Sequence, residues 1–384
     1  MKNNNIQSIK GFKDILPSEV KYYRYIENII LNIIEQYAIK EIRLPIIEKS
    51  ELFLKTIGNS TDIVNKEMYD FIDKNGDSIC LRPEGTVSIV RCVLQHNLIY
   101  DRGIKKKKFW YLGPMFRHEK PQKGRFRQFN QFGLEYFGYK NTESDIELIL
   151  LGNYIFDKLK ISQGVTLHIN SLGTKEDRSN YREIIKKYIK KHIEKLDDGQ
   201  KNTLENNPLR LLDSKSENII NILHGIPPLY DVLSIESKNR YDLLLKKLDN
   251  MKIKYIHDNT IVRGLDYYND TVFEWRHQTL GSHAAICAGG RYDNLVDEFN
   301  DASVPAIGFA MGIERIVEVL KAEKITPPDS KITIPVINIS SEENTYCSLQ
   351  SQDLRNIFSN MRFYNTDSAS SLSSQLKQAI KLNN

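Results

Sequence analysis

Cysteine is scarce in this 384-residue chain: it has only Cys80, Cys92, Cys287 and Cys347, and no two stand at CxxC spacing. That spacing argues against zinc sites built on cysteine pairs and against a disulfide framework, so reduced thiols in a cytoplasmic protein are expected. No apolar run is long enough to span a bilayer, and the opening MKNNNIQSIKGFKDILP has no apolar core of signal-peptide length. A membrane partner is therefore not expected. Also missing are a GxxxxGK[ST] loop and a GxGxxG after a strand, so any use of ATP must run by another route. Charge is nearly balanced, with a net +5 at pH 7 and a pI near 8.7. Such mild basicity permits a nucleic-acid partner without establishing one. The 40% apolar and 27% charged residues are ordinary for a globular protein, and the length suggests two or three domains.

What is present is concentrated in residues 109–138, FWYLGPMFRHEKPQKGRFRQFNQFGLEYFG, which read as two strands around a polar, basic loop. Alternation on the second strand puts Phe129, Gln131, Gly133, Glu135 and Phe137 on one face, with Phe132, Leu134 and Tyr136 on a core face. An amide and a carboxylate among aromatics, separated by glycine, predict a polar small-molecule site with room for ligand against the backbone. Arg117 ends the first strand beside it. The bland alternative is a hairpin with a solvated outer face.

Around this pair, Ser18 after Pro17 is the expected cap of a helix whose apolar residues recur at Tyr22, Ile26, Ile29, Ile30, Ile33, Ile34 and Tyr37. A short strand at 41–45, a hairpin at 67–82 turning at Asn75-Gly76, and a helix at 86–96 follow. The run Lys105–Lys108 reads as a solvated turn. After a helix at 145–159 and a strand at 165–170, residues 179–250 read as a lysine-rich helical insertion broken at Pro208 and Pro227-Pro228. Strands resume through Trp275, and 305–320 reads as one buried helix. Pro327-Pro328 marks a linker. Beyond it a strand at 332–339, a helix at 342–361, a Ser-rich stretch and a short helix are expected.

Pro45 after an amphipathic helix, residues 113–135, and GFAMGIER at 308–315 resemble motifs 1, 2 and 3 of the class II aminoacyl-tRNA synthetases. LRPEGT at 81–86, RGLDYYN at 263–269 and AGGRYD at 288–293 resemble the elements that set histidyl-tRNA synthetases apart among them. The order is the expected one from about residue 6 to 320. The resemblance implies an α/β protein of the α+β kind, with a mainly antiparallel sheet flanked by helices. A catalytic domain would span 1–325 with its insertion at about 179–250, and a partial α/β anticodon-binding domain would span 330–384. It also implies ATP-dependent activation of histidine and transfer to the 3′ end of tRNA(His). Magnesium would accompany ATP, with no metal ligands in the protein, in a cytoplasmic homodimer formed through the motif 1 helix and Pro45.

Activation drives a carboxylate onto the α-phosphate, so the site must hold fixed positive charge. By the resemblance, Arg117 and Arg263 serve catalysis at the α-phosphate, and Arg315 joins Arg117 in binding ATP, at the far end of the triphosphate. Guanidinium suits bidentate phosphate contact. Glu84, Thr86 and Gln131 would accept from the α-ammonium, while Glu135 and Tyr268 take the two imidazole nitrogens with Tyr267 beside them. Gln122 and Arg127 would contact the tRNA acceptor end. Gly289-Gly290 would let backbone approach the ligand, and Gly308 and Gly312 would let helix and sheet pack near the nucleotide.

The stretch after Pro328 is short for the family's anticodon module, and Ser368–Ser374 is polar where a buried strand should be apolar, so a marginally stable tail is expected. That departure raises an alternative, the non-catalytic histidine-binding regulatory subunit of ATP phosphoribosyltransferase, which resembles this catalytic domain and lacks the module. Such a subunit needs neither the phosphate-binding arginines nor the basic loop, and this chain keeps both. A nonspecific nucleic-acid-binding protein leaves the acidic pocket unexplained.

Overall fold

The computed structural model describes residues 6–382 apart from 59, 60, 62, 101, 102, 104, 215, 263, 264, 282–284, 300–302, 329, 330, 338, 340–343, 368 and 369. The chain divides into two compact units, Met1–Thr326 and Pro327–Asn384.

The first unit opens with α1 (Pro17–Gln36), whose Ile26, Ile30, Ile33 and Ile34 are buried at helical spacing. Its N-cap is Leu16 rather than Ser18, and no side chain caps it. Pro17 occupies the first helical position, where its fixed φ and missing N–H cost nothing. Next come the two-residue β1 (Lys40–Glu41), then β2 (Ile47–Lys49), α2 (Ser50–Ile57), β3 (Tyr69–Ile72) and β4 (Ser78–Leu81). The last three strands form a small antiparallel sheet in the order β2-β4-β3. After α3 (Thr86–Gln95) come β5 (Lys107–Phe116) and β6 (Gln128–Phe137). Lys107 and Lys108 thus open a strand instead of lying in a solvated turn. Lys108 Nζ reaches Glu147 Oε1 at 2.5 Å and lies over the Tyr136 ring, so its stem and charge are both used.

α4 (Thr142–Lys158) and β7 (Val165–Ser171) lead into the insertion, α5 (Lys175–Ile189), α6 (Asp198–Asn206), α7 (Glu217–Leu223), α8 (Leu229–Val232) and α9 (Ile235–Asn250). The chain then returns through β8 (Ile256–His257), β9 (Asn269–His277), β10 (Ala285–Arg291), β11 (Ala306–Gly312) and α10 (Ile313–Ala322). Eight strands make one sheet in the order β1-β5-β6-β11-β10-β9-β7-β8, antiparallel throughout its middle and parallel only at the two edge pairs.

The expected single helix at 305–320 is therefore wrong in its first half: Ala306–Gly312 is a strand between β6 and β10. A strand covered on both faces reads as an unbroken apolar run, which periodicity does not separate from helix. One sheet face packs Phe132, Leu134 and Tyr136 against α1, α4 and α10, in a core with Ile30, Ile149 and Ile316. The opposite face carries the site.

In the second unit β12 (Thr333–Val336) pairs in parallel with β13 (Arg362–Asn365), accompanied by α11 (Asn344–Ile357) and α12 (Leu372–Leu382). The second strand thus precedes the Ser-rich stretch, and Leu372–Leu382 is helical. The interior is partly polar, with Thr366 Oγ1 donating to buried Gln375 Oε1 at 2.6 Å.

Candidate active site

The register of the large sheet builds the floor of the site. Tyr111, Gly133, Ala310, Ala288 and Glu274 lie in one row across five strands, and Glu135, Gly308, Gly290 and Val272 lie in the next row on the same face. Ala310 and Ala288, small residues in the middle of the first row, line a cavity. The cavity measures about 310 Å³ and brings together Glu84, Thr86, Arg117, Gln131, Tyr267, Tyr268 and Arg315. Arg263 lies outside the described residues. Gln122 and Arg127 do not line the cavity. Arg127 instead turns to the N-terminal segment, donating to the Lys10 carbonyl at 3.3 Å, and Gln122 is exposed on the loop.

Glu135 is the buried heart of the acidic side. Its carboxylate, 1% exposed, accepts from Thr86 Oγ1 at 2.8 Å and from the Tyr292 hydroxyl at 2.5 Å. Burial pushes it up to about 8, against the pull of those two donors. Gly308, directly across on β11, makes space for it: a Cβ there would lie 1.8 Å from Glu135 Oε2. Glu84 closes the N-terminus of α3, accepting from the Thr86 N–H at 2.8 Å and the Val87 N–H at 2.7 Å. Burial raises its carboxyl too, opposed by those N–H groups and by Arg117. Tyr267 and Tyr268 are buried, their ring centroids 4.7 Å apart, and the Tyr267 hydroxyl donates to Glu84 at 3.5 Å.

The expected gap beside Gly133 is filled by protein. Tyr111 stands opposite it on β5, and a Cβ on Gly133 or Gly85 would fall within 2.2 Å of the Tyr111 ring. Gly133 therefore seats a tyrosine, whose hydroxyl meets Gln131 Oε1 at 3.3 Å. Gly290 likewise gives way to the Tyr268 ring, and Gly289 packs against the Gly308 carbonyl on β11.

Positive charge gathers on the other side. Arg117 donates through Nε to the Pro83 carbonyl at 2.8 Å and stacks over Phe129. Arg315, at the strand-to-helix turn, donates to the Ala285 carbonyl. It is pushed down to about 10, first by burial and then by the neighbouring cations Arg125 and Arg117. Glu119 lies 3.7 Å from Arg117 and 3.6 Å from Arg125. Arg117, Arg125 and Arg315, clustered in one cavity, set up a field for a polyanion. Sequence reasoning missed Glu119, Tyr292, and the Glu274–Arg276 ion pair braced by Asp258. It also missed Arg82, whose guanidinium donates to the carbonyls of Leu44 at 2.8 Å, Pro45 at 3.0 Å and Pro114 at 2.9 Å. Tyr292 and Arg82 carry no local signal, since their partners lie far away in the chain, whereas Glu119 and Glu274 stand close in sequence to the arginines they pair with. Among the described residues no group of three or more His, Cys, Asp or Glu side chains is placed to hold a metal ion.

An antiparallel sheet, one arginine from its strand–loop–strand pair and another from a strand-to-helix turn, meeting in one cavity, define a class II aminoacyl-tRNA synthetase. A family model described as histidyl-tRNA synthetase matches residues 11–316. The histidine–tRNA ligase of Buchnera aphidicola subsp. Schizaphis graminum is 44% identical over 379 residues, 98% of this chain and 88% of that protein. That of Legionella pneumophila strain Lens is 43% identical over the same shares. The crystal structure of apo histidyl-tRNA synthetase from S. aureus superposes with a TM-score of 0.79 at 32% identity, covering 99% of this chain and 90% of that one. The chain belongs to the histidyl-tRNA synthetase family. Membership makes it an ATP-dependent ligase that joins histidine to tRNA. A Bacillus halodurans protein titled ATP phosphoribosyltransferase regulatory subunit/histidyl-tRNA synthetase shares the fold, with a TM-score of 0.68 at 21% identity over 97% of this chain and 96% of that one.

Proposed function

We propose that the cavity binds histidine on its acidic side and ATP on its basic side, and that Arg117 and Arg263 carry the chemistry. The histidine carboxylate oxygen bonds to the α-phosphorus as the bond to the bridging oxygen breaks, releasing pyrophosphate. Arg117 and Arg263 neutralise the charge growing on the α-phosphoryl oxygens, and Arg315 holds the far end of the triphosphate. Glu84, Thr86 and Gln131 take the α-ammonium. Glu135 and Tyr268 take the imidazole nitrogens, and Tyr267 packs beside them. Magnesium arrives with the nucleotide as part of the substrate. The 3′-hydroxyl of tRNA(His) then attacks the histidyl carbonyl, AMP leaves, and Gln122 and Arg127 steady the acceptor end.

The observation that supports this reading is a buried carboxylate, Glu135, held from behind by Thr86 of the cavity lining, with Arg117, Arg125 and Arg315 clustered in the same lining. A regulatory binding protein has no use for that cluster. We read 327–384 as a partial anticodon-binding domain and the chain as a cytoplasmic homodimer. Exposed Ile46 and Ile47, next to Pro45 in the chain, support an interface there, and among the described residues no helix is long and apolar enough to cross a membrane.

Histidine-dependent ATP–pyrophosphate exchange on the purified chain, followed by charging of tRNA(His), tests the proposal. Exchange with charging is the expected result. Histidine binding without exchange would overturn it in favour of the regulatory subunit.

A further inference from the structure

The segment 265–270 carries both tyrosines into the cavity lining and joins the sheet at Asn269, where β9 begins. It is pinned on each side of the tyrosines by an aspartate. Asp266, just before Tyr267, accepts from Asn207 Nδ2 at 2.9 Å, and its N–H donates to the Ile57 carbonyl at 3.3 Å. Asp270, two residues past Tyr268, pairs with Arg240 Nη1 at 3.1 Å. Asp270 holds a left-handed φ of 47°, and its backbone is bonded to the 172–173 turn: its N–H donates to the Gly173 carbonyl at 2.9 Å and its carbonyl accepts from the Leu172 N–H at 2.7 Å.

Both side-chain anchors come from the insertion. Asn207 lies where α6 ends and is 4% exposed. Arg240 lies on α9 and also donates to the Lys140 carbonyl at 3.0 Å. Its reach to Asp293 Oδ2, at 4.0 Å, ties the same guanidinium to the AGGRYD strand end. The next residue along that strand, Tyr292, is the donor that holds Glu135. One insertion arginine thus touches both supports of the imidazole site, the tyrosine segment through Asp270 and the Tyr292 turn through Asp293. A left-handed aspartate between two pocket-forming stretches is a strained position that persists only when its surroundings hold it.

We propose that Asn207 and Arg240 are positioning residues for histidine recognition: the insertion sets the tyrosine segment through Asp266 and Asp270. This rests on the reading that Tyr268 and Glu135 take the imidazole. Neither residue lines the nucleotide side of the cavity, so loosening them should weaken histidine recognition and spare ATP.

The test measures KM for histidine and for ATP in pyrophosphate exchange on the full chain. Asn207→Asp faces two carboxylates and should raise the histidine KM roughly tenfold, with the ATP KM within about twofold. Adding Asp266→Asn exchanges donor and acceptor across the same bond and should bring the histidine KM back to within about threefold. Arg240→Ala should act like Asn207→Asp, and Arg240→Lys should recover most of the loss. The Asn207 pair stands if Arg240→Ala fails to fold. An unmoved histidine KM, a parallel rise in both KM values, or no recovery in the exchanged pair would overturn the proposal. Tyr268→Phe separates the two readings. A raised histidine KM in that variant beside an unchanged Asn207→Asp sinks only the anchoring. An unchanged Tyr268→Phe sinks the recognition scheme and the anchoring with it.

Discussion

Replacing Glu135 by glutamine should make the protein more resistant to unfolding at alkaline pH while impairing its function. The native carboxyl is pushed up to about 8 by burial, against an ordinary value of 4.5. Between those values the folded chain keeps a proton that the unfolded chain has released. Stability therefore falls as pH rises through this window, by about 1.4 kcal/mol per pH unit, and levels off above the native value. At 1% exposure solvent does little to dilute the effect. From pH 5 to pH 9 the parent should thus lose about 4 kcal/mol that the glutamine variant, which has no charge to bury, does not lose.

The amide has its own cost. Its NH₂ cannot accept from both Thr86 and Tyr292, so one hydroxyl must turn, at about 1 kcal/mol independent of pH. Near pH 5 the two proteins should be close, and by pH 9 the variant should be clearly the more stable. Guanidinium unfolding of both, without histidine, at each pH unit from 5 to 9 reads the difference directly. A difference that stays constant over that range refutes the raised carboxyl. In exchange assays the same variant should lose histidine affinity about a hundredfold, since an acceptor of the imidazole N–H has gone.

Two further outcomes follow from the same geometry. Arg291 is fully buried, donating to Asp145, the Tyr139 and Asn141 carbonyls and Ser144, so Asp145→Ala should cost about 3–5 kcal/mol in chemical unfolding by stranding a charge. Replacing both partners by apolar residues should recover much of that loss, and no recovery would contradict the stranded-charge account. Arg263→Ala should lower the exchange rate with little change in histidine affinity measured by equilibrium dialysis. An unchanged rate would remove Arg263 from the chemistry.

The sequence was most legible where a residue's job is local. Alternation along β6 was enough to separate Gln131 and Glu135 from Phe132 and Leu134, and the helical period of α1 marked its buried isoleucines. Legibility failed where one strand's chemistry depends on another. Ala306–Gly312 looks helical until Glu135 is known to need the empty space over Gly308. Gly133 looked like room for a ligand because nothing local reveals that Tyr111, more than twenty positions earlier, lies over it. Tyr292 stands in a recognised motif, but its grip on Glu135 exists only once β6, β11 and β10 have assembled. Arg263 lies outside the described residues.

Arg82 gives the site a mechanical character. A guanidinium spread over the carbonyls of Leu44, Pro45 and Pro114 welds three chain segments that are far apart in sequence. Two residues further on, Glu84 enters the cavity, and the segment beyond Pro114 runs to Arg117. One stiff, planar group thus joins the 44–45 segment to the chain leading to Glu84 and to the end of β5 that leads to Arg117. Lysine, with a single flexible ammonium, could hold that charge but not that shape. The Pro45 edge and the two segments that lead to Glu84 and Arg117 are thereby held by one side chain.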